Sequence, residues 1–93
     1  KDAQLNMGKN FGWQLGNKGI TINNLAPGVI GTIRNEEVLS NEVFKTKIEK
    51  NIPLRYIGEP DDLASMALLL CSEAGRYISG ADILVDGGMS LPE

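Results

Sequence analysis

The sequence predicts an α/β fold with a parallel sheet. Two observations carry the prediction. A helical segment turns tightly into a buried strand that ends in a Pro-Gly loop, which is half of a βαβ unit. Later, a strongly apolar helix leads into a second strand closed by a glycine pair. With 93 residues, the chain is long enough for one small domain with a modest core.

The helical pattern covers residues 2–16. Ala3, Met7, Phe11 and Leu15 share one face. Gly8, Gly12 and Gly16 form a second line. Interior glycines weaken a helix, so Gly8 and Gly12 predict close approach to another helix or sheet, with Gly16 near a C-terminal stop. Lys9, Asn10 and Gln14 interrupt the segment and rule out a membrane-dimer motif. Trp13 is expected to pack largely buried. Asn17-Lys18-Gly19 is a turn.

Ile20 to Thr32 organises the chain. Ile20-Thr21-Ile22-Asn23-Asn24-Leu25-Ala26 reads as a buried strand, and Pro27-Gly28 stops it. In open α/β sheets, ligands sit beyond the carboxyl ends of the strands. The loop after this strand, with free backbone N–H groups and the Thr32 hydroxyl, suits the polar end of a cofactor.

Residues 33–52 are rich in charge, yet Val38, Leu39, Val43, Phe44 and Ile48 give them an amphipathic helical character. Two short helices are expected. A solvated surface pair and a mobile lid over the ligand loop both fit.

After the loop from Asn51 to Gly58, Glu59-Pro60-Asp61-Asp62 is a helix start. Proline takes the first helical position and the acids face the helix dipole, so the carboxylates read as structural. The helix runs to about Ser72. Its nearly all-round apolar character predicts burial on more than one side. Gly75 and Gly80 break the connection to a strand at Ala81–Val85, which Asp86-Gly87-Gly88 closes.

Composition excludes several functions. The net charge is −3, with no basic stripe, and only 5% of residues are aromatic, which argues against nucleic acid. No apolar run is long enough to cross a bilayer. The single cysteine, Cys71, lies in an apolar run and reads as a small buried hydrophobe. Without a histidine in the chain, Cys/His metal or nucleophile sites are excluded, and no metal site is expected. A reducing, cytoplasmic setting fits.

Asn23-Asn24-Leu25-Ala26-Pro27-Gly28-Val29-Ile30-Gly31-Thr32 is followed by Ile52-Pro53-Leu54, Gly58-Glu59-Pro60, Tyr77-Ile78-Ser79-Gly80 and Val85-Asp86-Gly87-Gly88. In this order and spacing, the set resembles the C-terminal part of the short-chain dehydrogenase/reductase family. The resemblance covers essentially the whole chain. It implies the C-terminal part of a Rossmann-like doubly wound parallel sheet over residues 1–93, with a helical lid at about 33–52. It also implies NAD or NADP as cofactor and a small-molecule alcohol or carbonyl as substrate. Pro27, Gly28, Ile30 and Thr32 would contact the nicotinamide. The Ile30 backbone would bind its carboxamide, and Thr32 the carboxamide or the nearby phosphate.

Lys1-Asp2-Ala3-Gln4 is similar to the sequence after the family's catalytic tyrosine, in the pattern Tyr-x-x-x-Lys. Lys1 would then lower the tyrosine pKa and hold the nicotinamide ribose. A plain terminal residue is the other reading. The family's Gly-rich fingerprint and its catalytic serine and tyrosine are absent. Tyr56 and Tyr77 do not replace the tyrosine, because neither precedes a lysine by four residues.

The chain alone is therefore expected to be a non-catalytic part of a longer enzyme, and to leave sheet edges and apolar faces uncovered as a monomer. Within the family, residues 31–60 are most similar to glucose 1-dehydrogenases; sugar, polyol and 3-oxoacyl reductases are close. Two other readings stand beside it. One is a module acting in oligomer assembly through the 60–72 helix and the 81–86 strand. The other is an unrelated small α/β domain.

Overall fold

The computed structural model describes residues 2–92, and side chains from Lys9 onward. Lys1 and the side chains of residues 2–8, Ala3 and Met7 among them, lie outside the described residues. The order is α1 (Asp2–Leu15), β1 (Asn24–Pro27), α2 (Glu36–Leu39), α3 (Glu42–Lys50), α4 (Pro60–Cys71) and β2 (Asp82–Val85). Short 3-10 turns occupy Gly16–Lys18, Ile33–Asn35 and Glu73–Gly75. β1 pairs with β2. The Asn24 N–H donates to the Ala81 carbonyl at 2.9 Å and the Gly28 N–H to the Val85 carbonyl at 3.0 Å. Both strands advance four residues together between these bonds, so the pair is parallel. The α/β class with a parallel sheet is as the sequence predicts.

The chain forms two compact units. The first holds residues 1–26 and 65–83. In it, α1 ends in a 3-10 turn that Gly19 closes in the left-handed region, φ 76°. The strand begins later than expected, at Asn24. The reason is chemical: before that point one backbone bond remains, from the Gly80 N–H to the Ile22 carbonyl at 2.7 Å, and side chains replace the rest of the ladder. The Asn23 amide donates to the Ile78 carbonyl at 3.1 Å and accepts from the Ala81 N–H at 2.9 Å. The Ser79 hydroxyl accepts the Ile22 N–H at 3.2 Å. Lys9 adds a hydrogen bond to the Gly80 carbonyl (3.1 Å) and an ion pair with Asp82 (3.5 Å).

Three packing expectations need correction here. Trp13 is 91% exposed, not buried. Cys71 is an exposed free thiol, not a core residue. On α4, Leu68 is 72% exposed and Leu69 is also open, so that helix is not buried on several sides. In each case, no described element covers the face concerned. Gly12 does not mark close approach either: a Cβ there would meet only the Ser79 Oγ, at 3.9 Å. Gly16 follows the end of α1 at Leu15, as its reading as a stop expects.

The second unit holds residues 27–64 and 84–93. Its helical pair, α2 and α3, matches the two short helices expected. Asn41 caps α3 by accepting the Val43 and Phe44 N–H groups at 3.1 and 3.2 Å. Pro60 opens α4 as expected. The Asp62 carboxylate reaches back to the Glu59 N–H at 2.7 Å, the reciprocal half of a capping box, so this acid is structural. Ile52, 2% exposed, is the one fully buried apolar side chain among the described residues. Among those residues no helix is long and apolar enough to cross a membrane.

Gly75 is buried, and a Cβ there would lie 2.4 Å from the Leu69 carbonyl oxygen. Backbone cannot give way as a flexible side chain can. Gly75→Ala is therefore expected to destabilise by about 1–3 kcal/mol, read by urea unfolding. An unchanged midpoint would contradict the packing.

Candidate functional site

The loop after β1 is built by hydrogen bonds on both flanks. Pro27 ends the strand, exposed, and lacks an N–H to continue the ladder. Gly28 follows, held by Val85 as above. A Cβ at Gly28 would stand 2.6 Å from the Asp86 Cβ and 2.7 Å from its Cα, so only glycine allows this approach.

Ile30 forms a parallel bridge with Gly58. The bonds run from the Gly31 N–H to the Gly58 carbonyl (2.8 Å) and from the Gly58 N–H to the Val29 carbonyl (3.1 Å). In such a bridge the flanking peptide groups do the pairing. The N–H and C=O of Ile30 itself therefore point to the opposite side. This puts one donor and one acceptor side by side on the outer edge of the loop, the carbonyl already receiving one side-chain N–H and keeping a second lone pair, a pattern a planar carboxamide matches.

Thr32 is exposed, with extended backbone (φ −121°, ψ 166°), and caps the 3-10 turn that follows. Asn35 ties it down. The Asn35 Oδ1 accepts the Thr32 N–H at 2.8 Å and the Thr32 hydroxyl at 3.1 Å. Its Nδ2 donates to the Ile30 carbonyl at 2.8 Å. Asn35 is not among the residues the sequence motifs single out; its signal in the sequence is Thr32-x-x-Asn35, a cap residue followed three positions later by an amide.

A cavity of about 590 Å³ opens beside the loop. Thr32 lines it together with Leu39 of α2, Lys45 and Glu49 of α3, and Tyr56. The loop and the helical pair thus share one concave surface. The structure brings Pro27, Gly28, Ile30 and Thr32 into one loop, while Lys1 lies outside the described residues.

Asp86 organises the turn against which Gly28 packs. Its carboxylate accepts the Gly88 N–H at 2.9 Å and the Ser90 N–H at 3.1 Å. Gly87 and Gly88 adopt φ of 64° and 90°, a region glycine reaches without strain. Hydrogen bonds from Ser90 first, then from Gly88, hold the Asp86 carboxyl below its usual pKa.

A family model described as enoyl-(acyl carrier protein) reductase matches residues 1–90. The L-rhamnose 1-dehydrogenase (NAD(P)(+)) of Azotobacter vinelandii is 44% identical over 75 residues, 81% of this chain and 29% of that protein. The 7alpha-hydroxysteroid dehydrogenase of Escherichia coli is 38% identical over 88 residues, 95% of this chain and 34% of that one. A 4-hydroxyisoleucine dehydrogenase complexed with NADH superposes with a TM-score of 0.89 at 32% identity, over 99% of this chain and 38% of its own. The chain thus spans about a third of the length of these relatives.

The lowered Asp86 pKa has a signed consequence. A depressed carboxylate contributes stability above its unfolded pKa of about 3.9. That contribution is lost as pH falls through the lower folded value. Asp86→Ala is expected to lower stability at neutral pH and to flatten the acid limb of the stability profile. Chemical denaturation at stepped pH reads both. A variant with the acid limb of the wild type would contradict the role.

Proposed function

The chain belongs to the short-chain dehydrogenase/reductase family, and on that premise we propose that its loop from Pro27 to Thr32 forms the nicotinamide side of a cofactor site. The enzyme would be an NAD(P)-dependent oxidoreductase interconverting an alcohol and a carbonyl. Family membership sets aside the reading as an unrelated small domain. The observation that carries the proposal is the outward donor–acceptor pair of Ile30 beside the Thr32 hydroxyl, at the carboxyl end of a parallel strand.

In this reading the Ile30 N–H donates to the carboxamide oxygen and the Ile30 carbonyl accepts from its nitrogen. Thr32 adds a further polar contact. Pro27 and Gly28 shape the approach by letting the backbone turn close to Asp86. When bound, the nicotinamide supplies or accepts the hydride; the protein supplies orientation. Lys1 takes the family's lysine role, lowering the pKa of a tyrosine four residues before it and holding the ribose.

The helical pair α2–α3 serves as the lid over the cavity beside Thr32. A sugar or polyol is the proposed substrate. Its support is the likeness of residues 31–60 to glucose 1-dehydrogenases and the relative that acts on L-rhamnose. A homo-oligomer through α4 and β2 completes the reading, since Leu68, Leu69 and Leu84 are exposed apolar side chains. The exposed thiol of Cys71 suits a reducing, cytoplasmic setting.

Thr32→Val in the full-length protein tests the loop. One lost hydrogen bond is worth about 1 kcal/mol, so NAD(P)H affinity should fall about fivefold by calorimetric titration. Unchanged affinity would contradict the assignment. A panel of sugars, polyols and sterols, followed by cofactor reduction, tests the substrate class. Turnover of sterols with none of sugars or polyols would contradict it.

A further inference from the structure

We propose that Asn35 sets the hydrogen-bond polarity of the loop and thereby selects a carboxamide over a carboxylate on the bound cofactor. The inference rests on the nicotinamide reading of the loop. It follows from the three bonds that the Asn35 side chain makes. An amide oxygen only accepts and an amide nitrogen only donates. The Ile30 carbonyl, an acceptor, lies 2.8 Å from Nδ2, and the Thr32 N–H, a donor, lies 2.8 Å from Oδ1. These two partners fix which end of the amide is which.

The Thr32 hydroxyl sits 3.1 Å from that same Oδ1. Facing an atom that only accepts, the hydroxyl must donate its one proton to Asn35. Its oxygen, which also receives the Asn35 N–H in the capping box, then has only a lone pair left for a ligand. Thr32 Oγ1 is thus an acceptor toward the site, and so is the Ile30 carbonyl. Two acceptors beside the single Ile30 N–H donor suit a group with two N–H hydrogens and one oxygen, which is a carboxamide. A carboxylate offers acceptors only and meets two unpaired lone-pair faces. A phosphate oxygen meets the same obstacle at Thr32 Oγ1, which assigns Thr32 to the carboxamide rather than to the phosphate.

Helix capping alone does not account for this arrangement. The capping box accounts for the bond from the Thr32 N–H to Oδ1 and for the Thr32 side chain receiving the Asn35 N–H, and for no more. The bond from Nδ2 to Ile30 reaches two residues before the cap. It ties together the two residues that meet the ligand. Asn35 is half-buried and acts through Ile30 and Thr32, so it is a positioning residue.

The test compares two dinucleotides in the full-length protein: the nicotinamide form and its nicotinic acid analogue, with a carboxylate in place of the carboxamide. Their ratio of dissociation constants is the readout, because a general loosening of the fold moves both together. The wild type should prefer the carboxamide by about tenfold or more, the scale of one unpaired buried polar contact. In Asn35→Ala, the Thr32 proton is freed to turn toward the ligand, and the ratio should fall about tenfold. Asn35→Ser, whose hydroxyl both donates and accepts and so does not fix the direction of the Thr32 proton, should behave likewise and covers the case in which the alanine variant does not fold. Asn35→Asp still takes the hydroxyl proton and should keep the preference. A wild type that prefers the carboxamide, with the same ratio in the alanine and serine variants, would overturn the role of Asn35. So would loss of the preference in Asn35→Asp. A wild type that binds both dinucleotides equally would overturn the nicotinamide reading itself.

Discussion

The clamp on residues 28–31 is the constraint on which the candidate site depends. Gly28 hydrogen-bonds to the end of β2, and two bonds to Gly58 hold the peptides on either side of Ile30. Four residues are thereby fixed from both flanks without any side chain of their own taking part. The approach to Asp86 requires glycine at position 28. At position 58, a Cβ would press to 2.8 Å on the Ile30 side-chain tip. Because the flanking peptides are used up in the clamp, the peptide groups of Ile30 are turned outward as a pair. Preformed donors and acceptors of this kind bind a ligand with little ordering cost.

Burial explains why so much of the chain is open. The core of the described residues is Ile52, seated under the Asp86-Gly87-Gly88 turn, where a Cβ on Gly87 would reach its Cγ2 at 2.7 Å. Apolar side chains on α3 and α4 face solvent instead, Val43 and Leu68 among them. Polar ties hold the first unit together where apolar packing is thin. Asn23, Asn24, Lys9 and Asp82 form a chain of hydrogen bonds and one ion pair across residues 9–82. Asp82 is held below its usual pKa, chiefly by the Asn24 amide, with Lys9 adding to the effect.

Much of the fold was legible because local chemistry dictates it. Pro60 and the acids after it mark the start of α4, and Asp86-Gly87-Gly88 marks the turn after β2. Pro27-Gly28 marks the end of β1. What the sequence hid has two physical causes. Periodicity reports which face is apolar but not whether anything covers it, so Trp13 and Cys71 look buried in the sequence and are open in the fold. Side chains that substitute for backbone ladders look like strand residues, so Asn23 concealed the late start of β1. In the site, the loop residues stood out through the Pro-Gly break. Asn35 did not, since its part depends on reaching back five residues to Ile30, a distance visible only in the fold.

Intermolecular nuclear Overhauser effects test the account most directly. The full-length protein, labelled at isoleucine and threonine methyl groups, would be saturated with the oxidised nicotinamide dinucleotide. The account predicts contacts from the nicotinamide ring protons to the methyl groups of Ile30 and Thr32. A bound cofactor whose ring protons contact other methyl groups and neither of these would contradict it.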